Sequence, residues 1–317
     1  AHPLGPDETR PVALPPMASD DVEGATGELR PTRTAEIVPL RLPPIAEPEP
    51  EPELADPRLG DVDGWGRSER VREFVRRAYD PMYTHWFRAE WEGLEHVPTS
   101  GGALLVSNHA GAIPADAPAI MHGIEKELHR PVYGLADQFF KGAPVIGTLW
   151  ARAGGVVAHP DNAYRLLREE QQLALVFPEG TKGTSKTFNE RYRLRRFGRG
   201  GFVEIAMRAG VPIIPIAVVG SEEAMPILWK MPQVARAVGL PYFPITANMA
   251  FGPLGTFVHF PAKMKLRVLP PVTFDDVAPD QDRYSRSRIM DESEAIRQQI
   301  QEALFDMLRQ RRSVWRG

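Results

Sequence analysis

The chain has 317 residues, 43% of them hydrophobic, and a formal net charge of −3, enough for one large globular domain or two small ones. It contains no cysteine, which excludes disulfides, thiolate nucleophiles and Cys-based metal sites. Residues 1–60 hold 12 acids against 5 bases and the remaining 257 hold 29 against 33, a basic excess too small for a nucleic-acid binder but suited to anionic lipid or a phosphorylated substrate.

The first 60 residues carry 13 prolines, including the alternation from Glu47 to Glu53, and lack hydrophobic periodicity. They read as a disordered, acidic, locally extended tail that could dock a protein partner. No basic segment followed by an apolar one marks a secretory signal, so a cytoplasmic location is expected, at the inner face of the membrane. Over residues 61–92, Val71, Phe74, Val75, Tyr79, Met82, Trp86 and Phe87 recur at helical spacing with one interruption at Pro81. This predicts one or two amphipathic helices packed on a core.

A core over 93–280 opens with the stretch Ala103–Ala119, ALLVSNHAGAIPADAPA. Leu104, Leu105 and Val106 suit a strand buried on both faces, and such strands present reactive side chains just past their carboxyl ends. His109 stands there, and imidazole takes a proton from a hydroxyl near neutral pH once its tautomer is fixed. Asp116 is the nearest carboxylate. A straight helix would hold the two about 10 Å apart, but Gly111 and Pro114 argue against one. A turn followed by a helix from about Pro114 would let Asp116 fold back toward the imidazole. A strand cap and a helix cap would account for the same residues.

Beyond it the pattern predicts a helix over 115–128, a strand over 132–136, a helix over 144–153, a strand over 155–158 and a helix over 162–171 capped by Asp161 or Asn162. His122 and His129 have no acid at a suggestive spacing and read as core or surface residues. Alternating strands and helices imply an α/β fold with a largely parallel central sheet flanked by helices. Leu173–Thr181, LALVFPEGT, repeats the logic of the first stretch, since an apolar strand again runs into a polar turn. Glu179 there could bind a hydroxyl and Gly180 could let backbone approach a ligand. Between Lys182 and Arg199 seven bases, Lys182, Lys186, Arg191, Arg193, Arg195, Arg196 and Arg199, face the single acid Glu190, a composition that fits phosphate or an anionic headgroup. No His, Asp and Glu cluster has metal-ligand spacing.

A short helix over 202–209 precedes the apolar run Val211–Val219, whose Pro212 and Pro215 suggest an edge or irregular strand. From Ala237 to Ala262 no Asp, Glu, Lys or Arg occurs. The length could span a bilayer, but four prolines and three glycines break any spanning helix, so an apolar loop region lining an acyl-chain cavity or dipping into a membrane interface is expected. A last strand over 264–269 and an amphipathic helix over 286–312, within a terminal segment 281–317, close the chain.

Asn108-His109 with Asp116, Phe177-Pro178-Glu179-Gly180-Thr181 and Val211-Pro212-Ile213-Ile214-Pro215, in this order, resemble the glycerolipid acyltransferase family of lysophosphatidate acyltransferase-like proteins over roughly residues 90–275. Six residues separate His109 from Asp116 where four are usual, and Lys182 stands where most members have arginine. The wider spacing, with Arg199–Phe202 and Gly220–Glu223, looks like the branch of bacterial and plant mono- and diacylglycerol acyltransferases. The resemblance implies direct acyl transfer from an acyl-coenzyme A or acyl-carrier-protein thioester to a lipid hydroxyl, with no cofactor. It implies His109 as general base, Asp116 as its orienting partner, and Asn108, Glu179, Gly180, Thr181 and Lys182 around the acceptor. Arg195, Arg196 and Arg199 would hold phosphates of the donor or a headgroup. Two other readings of the same residues are a non-catalytic lipid-binding scaffold and a thioesterase-like hydrolase.

Overall fold

The apolar runs that end in polar turns become the middle of one sheet. A computed structural model describes residues 60–136, 144–279, 281 and 284–317; the acidic Pro-rich tail expected over 1–60 lies outside them except for Gly60. The strands are β1 (Glu90–Glu92), β2 (Ala103–Ser107), β3 (Val132–Ala136), β4 (Gly155–Val157), β5 (Leu173–Val176), β6 (Ile213–Val219), β7 (Ile227–Lys230), β8 (Pro244–Thr246) and β9 (Lys265–Val268). Seven form a sheet of order β1-β9-β6-β2-β5-β3-β4, while β7 and β8 pair separately. Every neighbour in the large sheet is parallel except β6 and β9. The helices are α1 (Glu69–Pro81), α2 (Asp116–Leu128), α3 (Pro144–Arg152), α4 (Pro160–Tyr164), α5 (Thr181–Thr184), α6 (Gly201–Ala209), α7 (Ser221–Ala224), α8 (Pro232–Ala237) and α9 (Arg286–Gln310). This is the α/β architecture expected from the alternation.

Period-2 alternation divides the core between the two faces of the sheet. Leu104 and Val106 of β2, with Ile213, Ala217 and Val219 of β6, pack with Ile289, Ile296, Ile300 and Leu304 of α9 and Val203 and Met207 of α6. Leu105, Ile214, Ile216 and Val218 face the other way, onto Ala119, Ile120 and Ile124 of α2 and Tyr83 and Phe87 beyond α1. Burying both faces is what makes β2 and β6 read as unbroken apolar runs.

Helix α1 begins at Ser68, whose hydroxyl accepts the Val71 N–H at 3.2 Å. Pro81 does not stop it. Proline has no N–H to give, and the following turn widens so that Phe87 N–H reaches Met82 O at 2.8 Å, a π-type pattern. Arg72 of α1 pairs with Glu125 of α2, and Asp80 accepts from both His122 Nε2 and Lys126. His122 thus has an acidic partner 42 residues away in sequence.

Two expectations are corrected. The helix expected at 162–171 starts at Pro160, with proline in the first turn, and its cap is His159, whose ring nitrogen accepts the Asp161 N–H; it runs on as a wider turn over Arg165–Glu169. Strand β6, expected at an edge or as an irregular strand, is not at an edge but lies between β2 and β9, and the irregular alternative is the one that holds. Pro215 fits because its carbonyl accepts from Leu269 on the β9 side, where the ladder slips by one residue between the Ile216–Val268 pair and the Ile213–Val272 bridge. The missing donor falls at that irregularity.

Candidate active site

Parallel strands β6, β2 and β5 are neighbours, so the segments leaving their carboxyl ends meet at one edge of the sheet. From β2 come Asn108 and His109, from β5 Phe177 to Gly180, and from β6 Gly220 to Glu223. Asn108 is buried, and its side-chain amide donates to Val218 O at 3.0 Å while its Oδ1 accepts Val218 N–H at 2.8 Å. It extends the β2–β6 ladder by one rung made from a side chain.

That rung sends the chain into the turn before α2. Helix α2 starts at Asp116 itself, with no side-chain cap ahead of it, and the carboxylate folds back over the turn. His109 Nδ1 lies 3.0 Å from Asp116 Oδ1 and 3.2 Å from Oδ2. Asp116 also accepts the N–H groups of Ala110 at 2.8 Å and Ala117 at 2.7 Å, and Ser221 Oγ approaches Oδ2 at 3.5 Å while donating to Ala110 O at 3.0 Å. A carboxylate carrying these donors faces Nδ1 only as an acceptor, which assigns the ring proton to Nδ1. Nε2 then keeps its lone pair. The ring stacks on Phe177 with centroids 4.0 Å apart and planes 19° apart, and the side chain is 16% exposed.

Glu179 turns inward. It is buried, and its oxygens accept the backbone N–H groups of His109 at 3.1 Å and Arg195 at 2.7 Å. Lys186 Nζ lies 3.4 Å from Glu179 and 3.0 Å from Glu222, all three side chains buried. Burial pushes the Glu222 carboxyl up to about 7, with Lys186 pulling the other way. Glu222 also accepts the Tyr192 N–H. The Tyr192 hydroxyl bonds Glu223, which pairs with Arg311 at 2.9 Å, and burial holds that phenol well above its ordinary range.

Gly180 is exposed with φ 55°, the left-handed region in which a glycine carries no penalty. Thr181 and Lys182 follow it at the surface, on the first turn of α5. A methyl group on Gly183 would come within 2.7 Å of His109 O and 2.9 Å of Glu179 Cβ, so this glycine lets α5 press against both turns.

The basic run divides. Lys186 is interior and ion-paired, whereas Arg195, Arg196 and Arg199 are exposed, the first through its side chain on Glu190. His109, Asp116 and Glu179 are therefore brought together with Asn108 beneath them, while Arg195 joins this cluster through its backbone N–H and Arg195, Arg196 and Arg199 are exposed residues. Phe177, Ser221 and Lys186 complete it and were not assigned these positions from sequence. The one available signal was that each lies within a few residues of a strand's carboxyl end or the Glu-Gly-Thr turn. Among the described residues no three His, Asp or Glu side chains gather in a way that could hold a metal ion.

An uncharacterised protein of Mycobacterium tuberculosis is 40% identical over 239 residues, 74% of this chain and 66% of that protein, so the chain spans just under two thirds of that relative's length. A human protein named DGAT1/2-independent enzyme synthesizing storage lipids is 30% identical over 146 residues, 46% of this chain and 44% of that one. A 1-acyl-sn-glycerol-3-phosphate acyltransferase of Limnanthes alba is 27% identical over 192 residues, 59% of this chain and 55% of that one. The family model described as Acyltransferase matches residues 88–219, which run from the approach to β1 through the His109–Asp116 turn and the Glu179 turn to the end of β6.

Proposed function

We propose that the protein is an O-acyltransferase that moves a fatty acyl group from a thioester, carried by coenzyme A or a carrier protein, to a hydroxyl of a glycerol-based lipid. The observation that carries this reading is the His109–Asp116 pair, with Nδ1 held by the carboxylate and Nε2 left for a substrate. Nε2 takes the acceptor's hydroxyl proton as that oxygen attacks the thioester carbonyl. The tetrahedral adduct then collapses, the C–S bond breaks, and the imidazolium returns the proton to the leaving thiolate. The products are an ester and a free thiol, and no acyl-enzyme forms.

Asp116 stabilises the imidazolium, and Phe177 holds the ring plane. Glu179 acts through the backbone, fixing His109 N and Arg195 N relative to one another, and Asn108 does the same for the end of β2. Gly180, Thr181 and Lys182 border the acceptor, while Arg195, Arg196 and Arg199 offer exposed guanidinium groups to the donor's phosphates. The acceptor's class is supported by the glycerolipid and storage-lipid names of the relatives. A location at the inner face of the membrane belongs to the same proposal.

The test incubates purified protein with radiolabelled acyl-coenzyme A and a panel of lysophosphatidate, other lysophospholipids, monoacylglycerol and diacylglycerol, alongside His109→Ala. The expected result is an acylated lipid formed by the wild type and reduced by about 10²- to 10⁴-fold in the variant. Labelled free fatty acid without acylated lipid would make water the acceptor. A folded protein with no product from any pairing would leave a lipid-binding scaffold.

A further inference from the structure

We propose that the acid-free stretch between Glu223 and Asp275 is a membrane-docking surface that beds the molecule in an anionic bilayer beside the His109 turn. The choice of a bilayer rests in part on the lipid acceptor proposed above; the surface itself rests on the following observations. Residues 224–274 contain no Asp or Glu and five bases. Phe251, Leu254 and Phe257 are 74%, 78% and 71% exposed, and Trp229, Val238 and Val258 are each more than half exposed. Apolar exposure on this scale within one segment of the chain marks an interaction site.

The exposure is built rather than incidental. Strands β7 and β8 pair through Trp229 and Ile245. Asn248, itself buried, donates to Ala224 O at 3.2 Å and Val258 O at 2.7 Å, tying together the two turns that display Phe251 and Phe257. Phe251 meets Phe260, and Phe260 meets Trp315, in edge-on ring contacts at 6.0 and 6.5 Å. Trp86, half-exposed, donates its indole N–H to His259 O at 2.9 Å. A tryptophan so placed, with its polar end anchored and its apolar end partly exposed, suits the headgroup region.

Charge decides the occupant. Lys263 and Arg267 pair with Glu90 and with Glu92 and Asp306, but Lys230 and Arg236 are exposed and have no acidic partner among the described residues. A second copy of the same face would set these bases against one another with no acid to meet them. Anionic headgroups meet them directly, and each base near such a surface adds to binding. The surface also continues into the site: His259 Nε2 donates to Ile113 O at 2.8 Å, within the turn between His109 and Asp116.

The experiment sediments the full chain with vesicles of phosphatidylcholine alone or with one third phosphatidylglycerol, for the wild type, F251S/L254S/F257S and K230E/R236E. Circular dichroism confirms folding, ultracentrifugation without lipid gives the oligomeric state, and acyl transfer is read separately on a short-chain acceptor dispersed in detergent. Expected are wild-type binding that favours the anionic vesicles, a loss of at least tenfold in the triple variant, a loss confined to anionic vesicles in the charge reversal, and unchanged transfer in detergent. Vesicle binding equal to wild type in the triple variant, or none by the wild type, overturns the proposal. So does a lipid-free wild-type dimer that the triple variant converts to monomer, since a second copy then covers the face. Absence of acyl transfer with the binding pattern intact would remove the enzymatic reading and leave the docking surface standing.

Discussion

The turn after β2 and the turn after β5 are built alike, an apolar strand running into a polar reversal, yet they deploy their ionisable groups in opposite senses. His109 faces outward with one nitrogen tied to Asp116, whereas Glu179 faces inward with both oxygens on protein donors. Strand ends of a parallel sheet are natural places for chemistry, but being at such an end does not say whether a group reacts or positions. That depends on which donors lie within reach. Glu179 meets two backbone N–H groups and a buried lysine, while among the described residues the His109 ring nitrogens meet a single carboxylate, on the Nδ1 side.

The contrast predicts different damage from single substitutions. Loss of the outward group, His109→Ala, should lower kcat by about 10²- to 10⁴-fold while melting within a few degrees of the wild type; collapse of the melting temperature instead would mean that His109 also holds the fold. Loss of the inward acid, Glu179→Gln, removes one partner from a buried ion pair and puts an amide N–H against backbone donors. About 3 kcal/mol or more of stability should go, seen as a fall in Tm on the order of 10 °C. A variant as stable as wild type would show that Lys186 finds enough in Glu222 alone.

Glu222 sharpens the comparison through pH. Its carboxyl is raised from the ordinary 4.5 to about 7 by burial, so the folded chain holds that proton more tightly than the unfolded one. Its contribution to stability is therefore most favourable below pH 4.5, is lost as pH rises toward 7, and is flat beyond, a loss of up to about 3 kcal/mol from a shift of this size. Urea unfolding of the wild type and Glu222→Gln at pH 5 and pH 8 should show this component of the slope in the first and not in the second; parallel curves would refute it. The smallest effect is expected beneath the site. Asn108→Ala strands the N–H and C=O of Val218 and should cost about 2 kcal/mol, measured as a shift in the unfolding midpoint.

Much of this was legible in the residues. Strand β3 falls on the expected positions, β2 and β5 follow from their apolar runs, and the fold-back of Asp116 follows from Gly111 and Pro114 forbidding a straight helix. What could not be read was partnership over long sequence distances. Nothing around Lys186 distinguishes it from the six other bases of its run; its burial is set by Glu222, 36 positions later on another strand's end. Likewise the proline inside β6 looks like an edge signal until β9, arriving antiparallel with a slip in register, provides the gap that proline needs.

The clearance at Gly183 has a consequence for how far this scaffold can be altered. With no Cβ, α5 serves as a spacer of minimum thickness between the His109 backbone and Glu179. Any side chain there would act as a wedge, moving the His109 turn and Glu179 apart by a fraction of an ångström to an ångström, and if His109 is the base proposed above, a displacement of that size is enough to cost on the order of 10² in rate. Position 183 is thus a calibration point for reactivity that never touches a substrate, and a library randomised around the site should return glycine there even when every charged neighbour is free to vary.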